Sequence, residues 1–100
     1  MDPRPEQVDS ESGHVTLRYW ASLRAAAGVA EDRLEVAGAV TLASLTAHAL
    51  ALRPANRRFA DVLGTCSVLV ADRPVASADP TEVVVQPGQT VEFLPPFAGG

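Results

Sequence analysis

The sequence of 100 residues contains no lysine, one cysteine and few aromatic side chains. Every basic side chain other than histidine is arginine, so the chain cannot accept an isopeptide bond on a side chain or build lysine-linked chains of itself. The single thiol, Cys66, excludes an internal disulfide and cannot alone hold an iron–sulfur cluster or a structural zinc. This cysteine content is typical of a protein of the reducing cytoplasm.

Long apolar runs and an excess of positive charge are also missing. No segment approaches the roughly 20 apolar residues of a membrane span, and the N-terminus lacks the basic start and apolar stretch of a signal peptide. Eight basic against twelve acidic side chains give a net charge of −4, which disfavours binding to nucleic acid. We therefore expect a cytoplasmic location, with neither a membrane nor nucleic acid as partner.

The apolar content is sufficient for a single folded domain. Hydrophobic residues make up 47% of the chain and charged residues 20%, and 100 residues leave no room for a second core. Residues 1–13 are rich in proline and acidic side chains, which predicts a disordered N-terminal extension, with a partner-binding arm as the alternative. The predicted organisation is this extension, a folded domain of residues 14–94 and an extended tail of residues 95–100.

Strands are predicted from period-two alternation or from short β-branched runs. In the first, Val15, Leu17 and Tyr19 alternate with Thr16 and Arg18. The predicted strands are His14–Trp20, Arg33–Val36, Cys66–Val70, Val75 after the turn Ala71–Pro74, and Thr90–Leu94. Val83–Val85 remains open between a short strand and a covered loop, and Pro87-Gly88 has the residue types of a type II turn.

Helices are predicted between these strands. Thr41 is a suitable N-cap for a main helix that runs to about Arg53, and a shorter helix covers Asn56–Leu63 with Gly64 as a left-handed cap. Leu23–Gly28 is a turn or a short helical piece. The predicted fold class is a small α+β sheet with one main helix across one face. The residues that recur at helical spacing in the main helix are Leu42, Leu45, Ala49 and Leu52.

No group of side chains has the composition of a catalytic or metal site. His14 and His48 have no cysteine, histidine or paired carboxylate at ligand spacing, so both are expected to be structural or solvated. Cys66 could carry sulfur as a persulfide, but its place at the head of an apolar strand favours a small core residue. We therefore predict a protein that is not an enzyme and binds no metal.

The C-terminal sequence LPPFAGG is the exceptional feature. Pro95 and Pro96 fix the backbone and predict a stiff projection from the sheet, roughly 20 Å long at about 3.3 Å per residue. Gly99 and Gly100 lack Cβ, so a narrow channel can close around them. An ionised terminal carboxylate can attack the α-phosphate of ATP, after which a sulfur nucleophile displaces AMP and leaves a thiocarboxylate. The alternative is a frayed or foreign end.

Five segments together resemble a known family, the ubiquitin-like β-grasp sulfur carriers that include the small subunit of molybdopterin synthase and the thiamine-pathway carrier. The resemblance covers about Val15–Gly100, and it implies a mixed sheet of about five strands with one main and one short helix. The segments that carry it are RYWASLRAAAG, the helix after Thr41, RFADVLG, VADRPV and LPPFAGG.

The resemblance implies a function in which Gly100 is adenylated and converted to a thiocarboxylate. The closing Pro-Pro-x-Ala-Gly-Gly looks most like the small subunit of molybdopterin synthase, which acts in molybdenum cofactor biosynthesis. The implied partners are an E1-like adenylating or sulfurtransferase enzyme, which uses ATP, and a large synthase subunit or another sulfur-accepting enzyme. No cofactor is expected on the chain itself. The tail residues required for threading are Pro95, Pro96, Phe97, Ala98 and Gly99.

Docking residues are predicted on the sheet. If Val68 and Val70 face the helix, Leu69 faces the opposite side, where the resemblance places an apolar residue that contacts a partner; Trp20 and Phe97 are further candidates. Neighbouring loops that cover Leu69 and Trp20 are the alternative. Three other functions remain open: a carrier for cysteine, thiosugar, thiamine or another sulfur product, a protein modifier, and an interaction module with an inert tail.

Overall fold

The computed structural model of the protein describes residues 13–96. The predictions for residues 1–12 and for residues 97–100 lie outside the described residues. Seven strands are described: β1 (Gly13–Tyr19), β2 (Glu31–Val36), β3 (Val40–Thr41), β4 (Ser67–Val70), β5 (Arg73–Pro74), β6 (Val84–Val85) and β7 (Thr90–Leu94). The described helices are α1 (Ala21–Ala27), α2 (Leu42–Leu52) and α3 (Arg57–Leu63).

Five of the strands form one mixed sheet in the order β2-β1-β7-β4-β5. β1 and β7 run parallel, and the other neighbouring strands of this sheet pair antiparallel. The predicted α+β class is therefore confirmed, including the five-stranded mixed sheet. The last described strand, β7, lies at the centre of the sheet, so the C-terminal tail follows a strand that has a neighbour on each side.

One face of the sheet is covered by the helices and forms a single core. Alternate residues of β1 and β7 point inward, because successive side chains of a strand point to opposite faces. Helix α2 contributes three residues and α3 contributes two to the same cluster. The buried core residues are Val15, Leu17, Tyr19, Leu23, Leu34, Leu42, Leu45, Ala49, Phe59, Leu63, Val85, Val91 and Phe93.

The main helix begins where the sequence predicts. The Thr41 hydroxyl accepts a hydrogen bond from the Ser44 N–H at 3.1 Å, which is the expected N-cap. Of the four residues at helical spacing, Leu42, Leu45 and Ala49 are buried, whereas the Leu52 side chain is 48% exposed. Successive helical residues turn by about 100°, which places Leu52 at the edge of the apolar stripe centred on Ala49. Within residues 13–96, no helix combines the length and apolar character needed to cross a membrane.

The two glycines that follow short helices behave oppositely. Gly28 ends α1 with a left-handed φ of +81°, so Leu23–Gly28 is resolved as part of a helix and its cap. The left-handed cap predicted at Gly64 is wrong, because its φ of −66° is right-handed. After α3 the backbone tightens, with Thr65 N–H donating to Val62 and Cys66 N–H to Leu63. These i to i+3 bonds satisfy the helix end without a left-handed residue.

Several strand boundaries differ from the prediction. β2 begins at Glu31, two residues before the predicted Arg33, and β4 begins at Ser67. The second strand of the β4–β5 hairpin is Arg73–Pro74, so the prediction of a strand at Val75 is wrong. Ala71 and Asp72, with φ of 50° and 68°, make the turn. The two consecutive left-handed residues match a type I′ turn, which reverses the chain earlier than the four-residue turn predicted.

The segment left open by the sequence forms a short strand. Val84–Val85 is β6, which pairs with β3 in a separate two-stranded sheet. Pro87-Gly88 then makes the predicted turn: Gly88 has a φ of +92°, and Gln89 N–H donates to Gln86 at 3.1 Å. This turn returns the chain to the start of β7.

Candidate functional site

The candidate site is the point at which the chain leaves the sheet after β7. Phe93 is in register with Tyr19 of β1 on one side and with Val68 of β4 on the other. Leu94 has a register partner only in β4, Ser67, among the described strands. Phe93 is thus the last residue of β7 that pairs with a neighbouring strand on both sides.

The double proline ends the pairing. Pro95 and Pro96 lie outside the strand, and neither has an N–H with which to extend a β-ladder. Pro95 is half-buried and Pro96 is exposed, so the chain reaches solvent within two residues of Leu94. The predicted sites at Phe97, Ala98, Gly99 and Gly100 lie beyond the described residues.

Trp20 lies close in register to the end of β7, where Phe93, Leu94 and Pro95 form what we call the tail root. It directly follows Tyr19, the register partner of Phe93, and 40% of its surface is exposed. The next residue, Ala21, begins α1 with a φ of +50°, a left-handed conformation that costs an L-residue about 1–2 kcal/mol. The turn from β1 into α1 therefore comes directly after the residue paired with Phe93, and the Trp20 indole is partly exposed. Its predicted role in docking remains a prediction.

Leu69 lies on the outer face of the sheet. Val68 and Val70 pack against the core, whereas Leu69 pairs with Glu92 and Pro74 and does not belong to the core cluster. This is the orientation that alternation along the strand predicts. Leu69 is half-buried rather than fully exposed, so its neighbours cover part of it. The structure places Leu69 and Trp20 on either side of β7, and the docking role of Leu69 is not established by this position.

A row of charges crosses the outer face next to Leu69. Arg18 of β1 lies between two acidic residues, with its Nε 3.4 Å from Glu31 and its Nη1 3.8 Å from Glu92. Arg18 and Glu31 are well exposed, so these pairs stabilise the fold little. The guanidinium does offset one of the two carboxylates, so these three side chains leave only a single net negative charge beside Leu69.

A half-buried hydrogen-bonded cluster lies behind the tail root, and sequence analysis missed it. Arg53 donates to both carboxylate oxygens of Asp32, at 2.6 and 3.1 Å, and the Tyr19 hydroxyl donates to the same carboxylate at 2.6 Å. The Arg53 guanidinium carbon also lies 4.8 Å from the centre of the Phe59 ring and 5.5 Å from that of Tyr19. We call Tyr19, Asp32 and Arg53 the strut.

The protonation states of the strut follow from its contacts. Burial alone would raise the pKa of Asp32, but hydrogen bonds from Arg53 and Tyr19 and the charge of Arg53 bring it below its ordinary value. The pKa of Tyr19 is raised, first by burial and then by the Asp32 carboxylate. The Asp32 hydrogen bonds raise the pKa of Arg53. At neutral pH the strut is therefore a carboxylate held by a neutral phenol and a guanidinium.

One sequence signal could have revealed the strut. Asp32 is in register with Leu17 and lies two residues before Leu34, so it occupies the inward-facing set of β2. An acidic side chain at a position where alternation calls for an apolar one needs a cation or a donor nearby. The partner, Arg53, is 21 residues away in the chain, and only the fold brings the two together.

Cys66 is partly buried behind the start of β4. Its Sγ lies 3.3 Å from the Val62 carbonyl oxygen, and burial raises the pKa of its thiol to about 11. The thiolate is the nucleophilic form, so this environment supports the interpretation of Cys66 as a small, inert residue next to the core. His14 and His48 are exposed. Among residues 13–96, no three cysteine, histidine or acidic side chains cluster in a way that could hold a metal ion.

Comparison with known families covers most of the chain. A model described as the ThiS family matches residues 17–100, from the middle of β1 through the tail. The chain belongs to the ThiS family. It is thus a member of the ubiquitin-like sulfur carriers and modifiers, small proteins that are generally non-catalytic, and the resemblance found in the sequence is confirmed. No curated protein matches the sequence of this ThiS-family chain.

Solved structures similar to this ThiS-family protein share its β-grasp fold. Small archaeal modifier protein 1 from Methanosarcina acetivorans matches with a TM-score of 0.70 at 19% identity, covering 90% of this chain and 99% of that one. A chain of the complex of subunits 1 and 2 of molybdopterin-converting factor from Helicobacter pylori matches with a TM-score of 0.53 at 20% identity, covering 87% and 99%. Urm1 from Trypanosoma brucei matches with a TM-score of 0.56 at 21% identity, covering 91% and 99%. At these identities the similarity establishes the fold.

Proposed function

We propose that this protein carries sulfur as a thiocarboxylate on Gly100 and serves as the small subunit of molybdopterin synthase. One observation carries the proposal: the central strand β7 is held on both sides as far as Phe93 and then runs into Pro95 and Pro96. Pro96 is exposed, so the described part of the chain ends at the surface. In this sequence the next residues are Phe-Ala-Gly-Gly.

The chemistry requires activation of a poor acyl donor. The Gly100 carboxylate, with an ordinary pKa of about 3.3 to 3.7, is ionised at neutral pH. Its oxygen attacks the α-phosphorus of ATP and expels pyrophosphate, which gives an acyl adenylate. A hydrosulfide equivalent from the partner then forms the C–S bond as the C–O bond to AMP breaks, with loss of one proton. The product is a thiocarboxylate, and no oxidant or reductant is consumed.

Each tail residue has a physical role in this proposal. Gly99 and Gly100 lack Cβ atoms, so a narrow channel can close on the backbone and leave the terminal carbonyl carbon open to attack. The prolines reduce the number of conformations that must be frozen when the tail enters an active site. Phe97 and Ala98 connect the stiff part to the reactive end and are required for threading. The chain itself supplies no catalytic residue, since the chemistry occurs on its partner.

The proposed partners are an E1-like adenylating enzyme, which uses ATP, and a large synthase subunit. Leu69 on the outer face and Trp20 at the tail root are the proposed contacts with them. Both side chains offer apolar surface close to β7, and the charged side chains beside Leu69 already form ion pairs with each other. The fold similarity to a chain in a complex of subunits 1 and 2 of molybdopterin-converting factor supports this type of partner.

The closing Pro-Pro-x-Ala-Gly-Gly supports the molybdopterin pathway over the alternatives. A carrier for cysteine, thiosugar or thiamine synthesis would need the same glycines, so the glycines alone do not discriminate. The distinction is made by the large protein that receives the tail. Co-purification of the thiocarboxylated protein with a molybdopterin synthase large subunit would support the proposed pathway. Co-purification with a different sulfur-accepting enzyme would contradict it and assign the protein to the pathway of that enzyme.

Intact mass measurement tests the chemistry. We expect co-expression with the adenylating enzyme and a sulfur source to raise the mass by the difference between sulfur and oxygen. The matched control carries one extra residue after Gly100, which blocks the reactive carboxylate and leaves residues 13–96 unchanged; its mass should not shift. An unchanged mass of the native chain, with the adenylating enzyme shown to be active, would contradict the proposal.

Covalent adducts distinguish the protein modifier. The similarity in fold between this chain and small archaeal modifier protein 1 makes this test necessary. A modifier would form higher-mass species that survive thiol reductant and disappear when Gly100 is deleted. A sulfur carrier would show none. Because the chain contains no lysine, any adduct would have its isopeptide bond on a lysine of another protein.

A further inference from the structure

We propose that the strut formed by Tyr19, Asp32 and Arg53 is a positioning device that holds the end of β7, the strand that precedes the C-terminal tail. This inference rests on the proposed function in one respect, since it predicts how efficiently a partner uses the tail. Its structural half concerns only the order of the tail root and can be tested separately.

The strut acts where β7 loses its second neighbour. Tyr19 is the last residue of β1 and is in register with Phe93, two residues before Pro95. The two rings also pack together, with centroids 6.1 Å apart. Tyr19 is 1% exposed, so its ring has little freedom once the core has formed. A small change in the place of Tyr19 therefore acts directly on the last residue of β7 held from both sides.

The hydroxyl of Tyr19 fixes its ring. A buried hydroxyl needs a hydrogen-bond partner, and this one donates at 2.6 Å to Asp32. The same carboxylate receives two bonds from Arg53, whose own plane is held over the Phe59 ring at 4.8 Å. Asn56, three residues further on, donates from its side-chain amide to the Ala26 carbonyl at 2.8 Å. The strut thus joins β1 to β2 and to the end of α2.

The polar contacts of the strut are not needed to bury the ring of Tyr19. A phenylalanine at residue 19 would fill the core equally well and would require no charged partner. The strut instead uses an acidic side chain on the inward face of β2 and an arginine from the end of α2, whose side chains are 17% and 14% exposed. Such directional contacts specify one geometry, whereas apolar packing alone tolerates several.

The test uses Tyr19→Phe, which removes only the hydroxyl. We expect faster amide hydrogen exchange at Phe93 and Leu94 and unchanged exchange at Val91, earlier in the same strand. The matched control is Val85→Ala, which removes buried apolar volume from β6, a strand with no pairing to β7. When the two variants are compared at equal overall stability, the Leu94 amide of Val85→Ala should exchange as fast, relative to the other amides, as it does in the native protein.

Activity gives the second measurement. With the adenylating partner, Tyr19→Phe should lower kcat for thiocarboxylate formation on the order of tenfold, because misplacement of a reacting group slows the step itself. KM should change little, since Leu69, the proposed contact on the outer face, is intact. Val85→Ala should retain both constants. The emission of Trp20, the only tryptophan in the chain, should shift in Tyr19→Phe and not in the control.

The outcomes separate the two proposals. Exchange at Leu94 that stays at the native value, or a loss of kcat shared equally by Val85→Ala, would overturn the positioning role. If the native chain gains no sulfur at all, the proposed function fails, and the exchange and Trp20 measurements still decide whether the strut orders the tail root.

Discussion

Arg53, just after α2, makes a two-point ion pair with Asp32 of β2, with nitrogen–oxygen distances of 2.6 and 3.1 Å. The pair joins the end of the main helix to an edge strand of the sheet, and both side chains are largely buried. Removing one partner from such a pair leaves a desolvated charge behind, which costs more than the pair itself contributes. The ion pair is therefore a point at which the fold is sensitive to substitution and to pH.

We expect Asp32→Asn to lower the free energy of unfolding by about 2–3 kcal/mol at neutral pH, because Arg53 then lacks a counter-charge. The pKa of Asp32 is lowered in the folded protein, so its contribution is fully present above the unfolded pKa of about 3.9 and is lost as the pH falls through the folded value. Urea unfolding of both proteins from pH 7 to pH 2 measures this. A stability difference that does not narrow below about pH 4 would contradict the assignment.

The tail prolines should affect reactivity and not folding. Replacing both Pro95 and Pro96 by glycine adds conformational freedom worth about 0.4–1 kcal/mol for each position. We expect the efficiency of thiocarboxylate formation to fall severalfold, because more freedom is lost when the tail is bound. Unfolding should be unchanged, since both residues lie past the last strand. Equal efficiency in the variant and the native protein would show that tail stiffness has no role.

Leu69 should contribute to partner binding. Leu69→Arg places a charge on the outer face and should weaken the complex with the adenylating enzyme or the large subunit by about tenfold or more, as expected for a central apolar contact. Val84→Arg is the control, because Val84 is an exposed aliphatic side chain, 54% accessible, on β6 outside the main sheet. Calorimetric titration of both variants gives the comparison. Equal weakening by both would remove Leu69 from the docking surface.

Cys66 should react slowly. Burial raises the pKa of its thiol to about 11. At pH 8 only on the order of one thiol in a thousand is then ionised, so alkylation should be much slower than for an unfolded peptide and should accelerate with rising pH. Cys66→Ser should retain thiocarboxylate formation at Gly100. Rapid labelling of the folded protein at pH 8, or loss of sulfur transfer in the variant, would revive the persulfide hypothesis.

Replacing Gly28 or Gly64, the glycines that follow α1 and α3, by alanine should have opposite effects on the free energy of unfolding. Gly28→Ala forces a side chain onto a residue with φ of +81° and should cost about 1–2 kcal/mol in unfolding free energy. Gly64→Ala should be neutral or slightly stabilising, because Gly64 is right-handed and a Cβ there meets backbone oxygens at an ordinary 3.6–3.7 Å. Thermal unfolding of the pair gives a direct comparison, and a cost at Gly64 would restore the left-handed cap.

Local patterns were enough to predict the main helix, the short helix before Gly64 and most of the strands. Alternation over Val15, Leu17 and Tyr19, the hydroxyl of Thr41 before a helical repeat, and the double proline after Leu94 each act on neighbouring residues, so their effects can be inferred without the fold. The prediction at Gly64 was wrong because a glycine only permits a left-handed conformation. Whether it adopts one depends on how the helix end satisfies its carbonyl groups.

The sequence alone determined the composition of the C-terminal segment, with Pro95-Pro96 followed by Phe-Ala-Gly-Gly, and the absence of lysine from the chain. The tertiary structure decided which position in the sheet precedes that segment. Pairing between distant segments brings β7 to the centre of the sheet, leaves Phe93 as its last doubly held residue, and brings Asp32 and Arg53 into contact across 21 residues of chain. Alternation along β2 could have marked Asp32 as an inward-facing acid, but no local pattern identifies Arg53 as its partner, because that contact depends on the simultaneous burial of several elements.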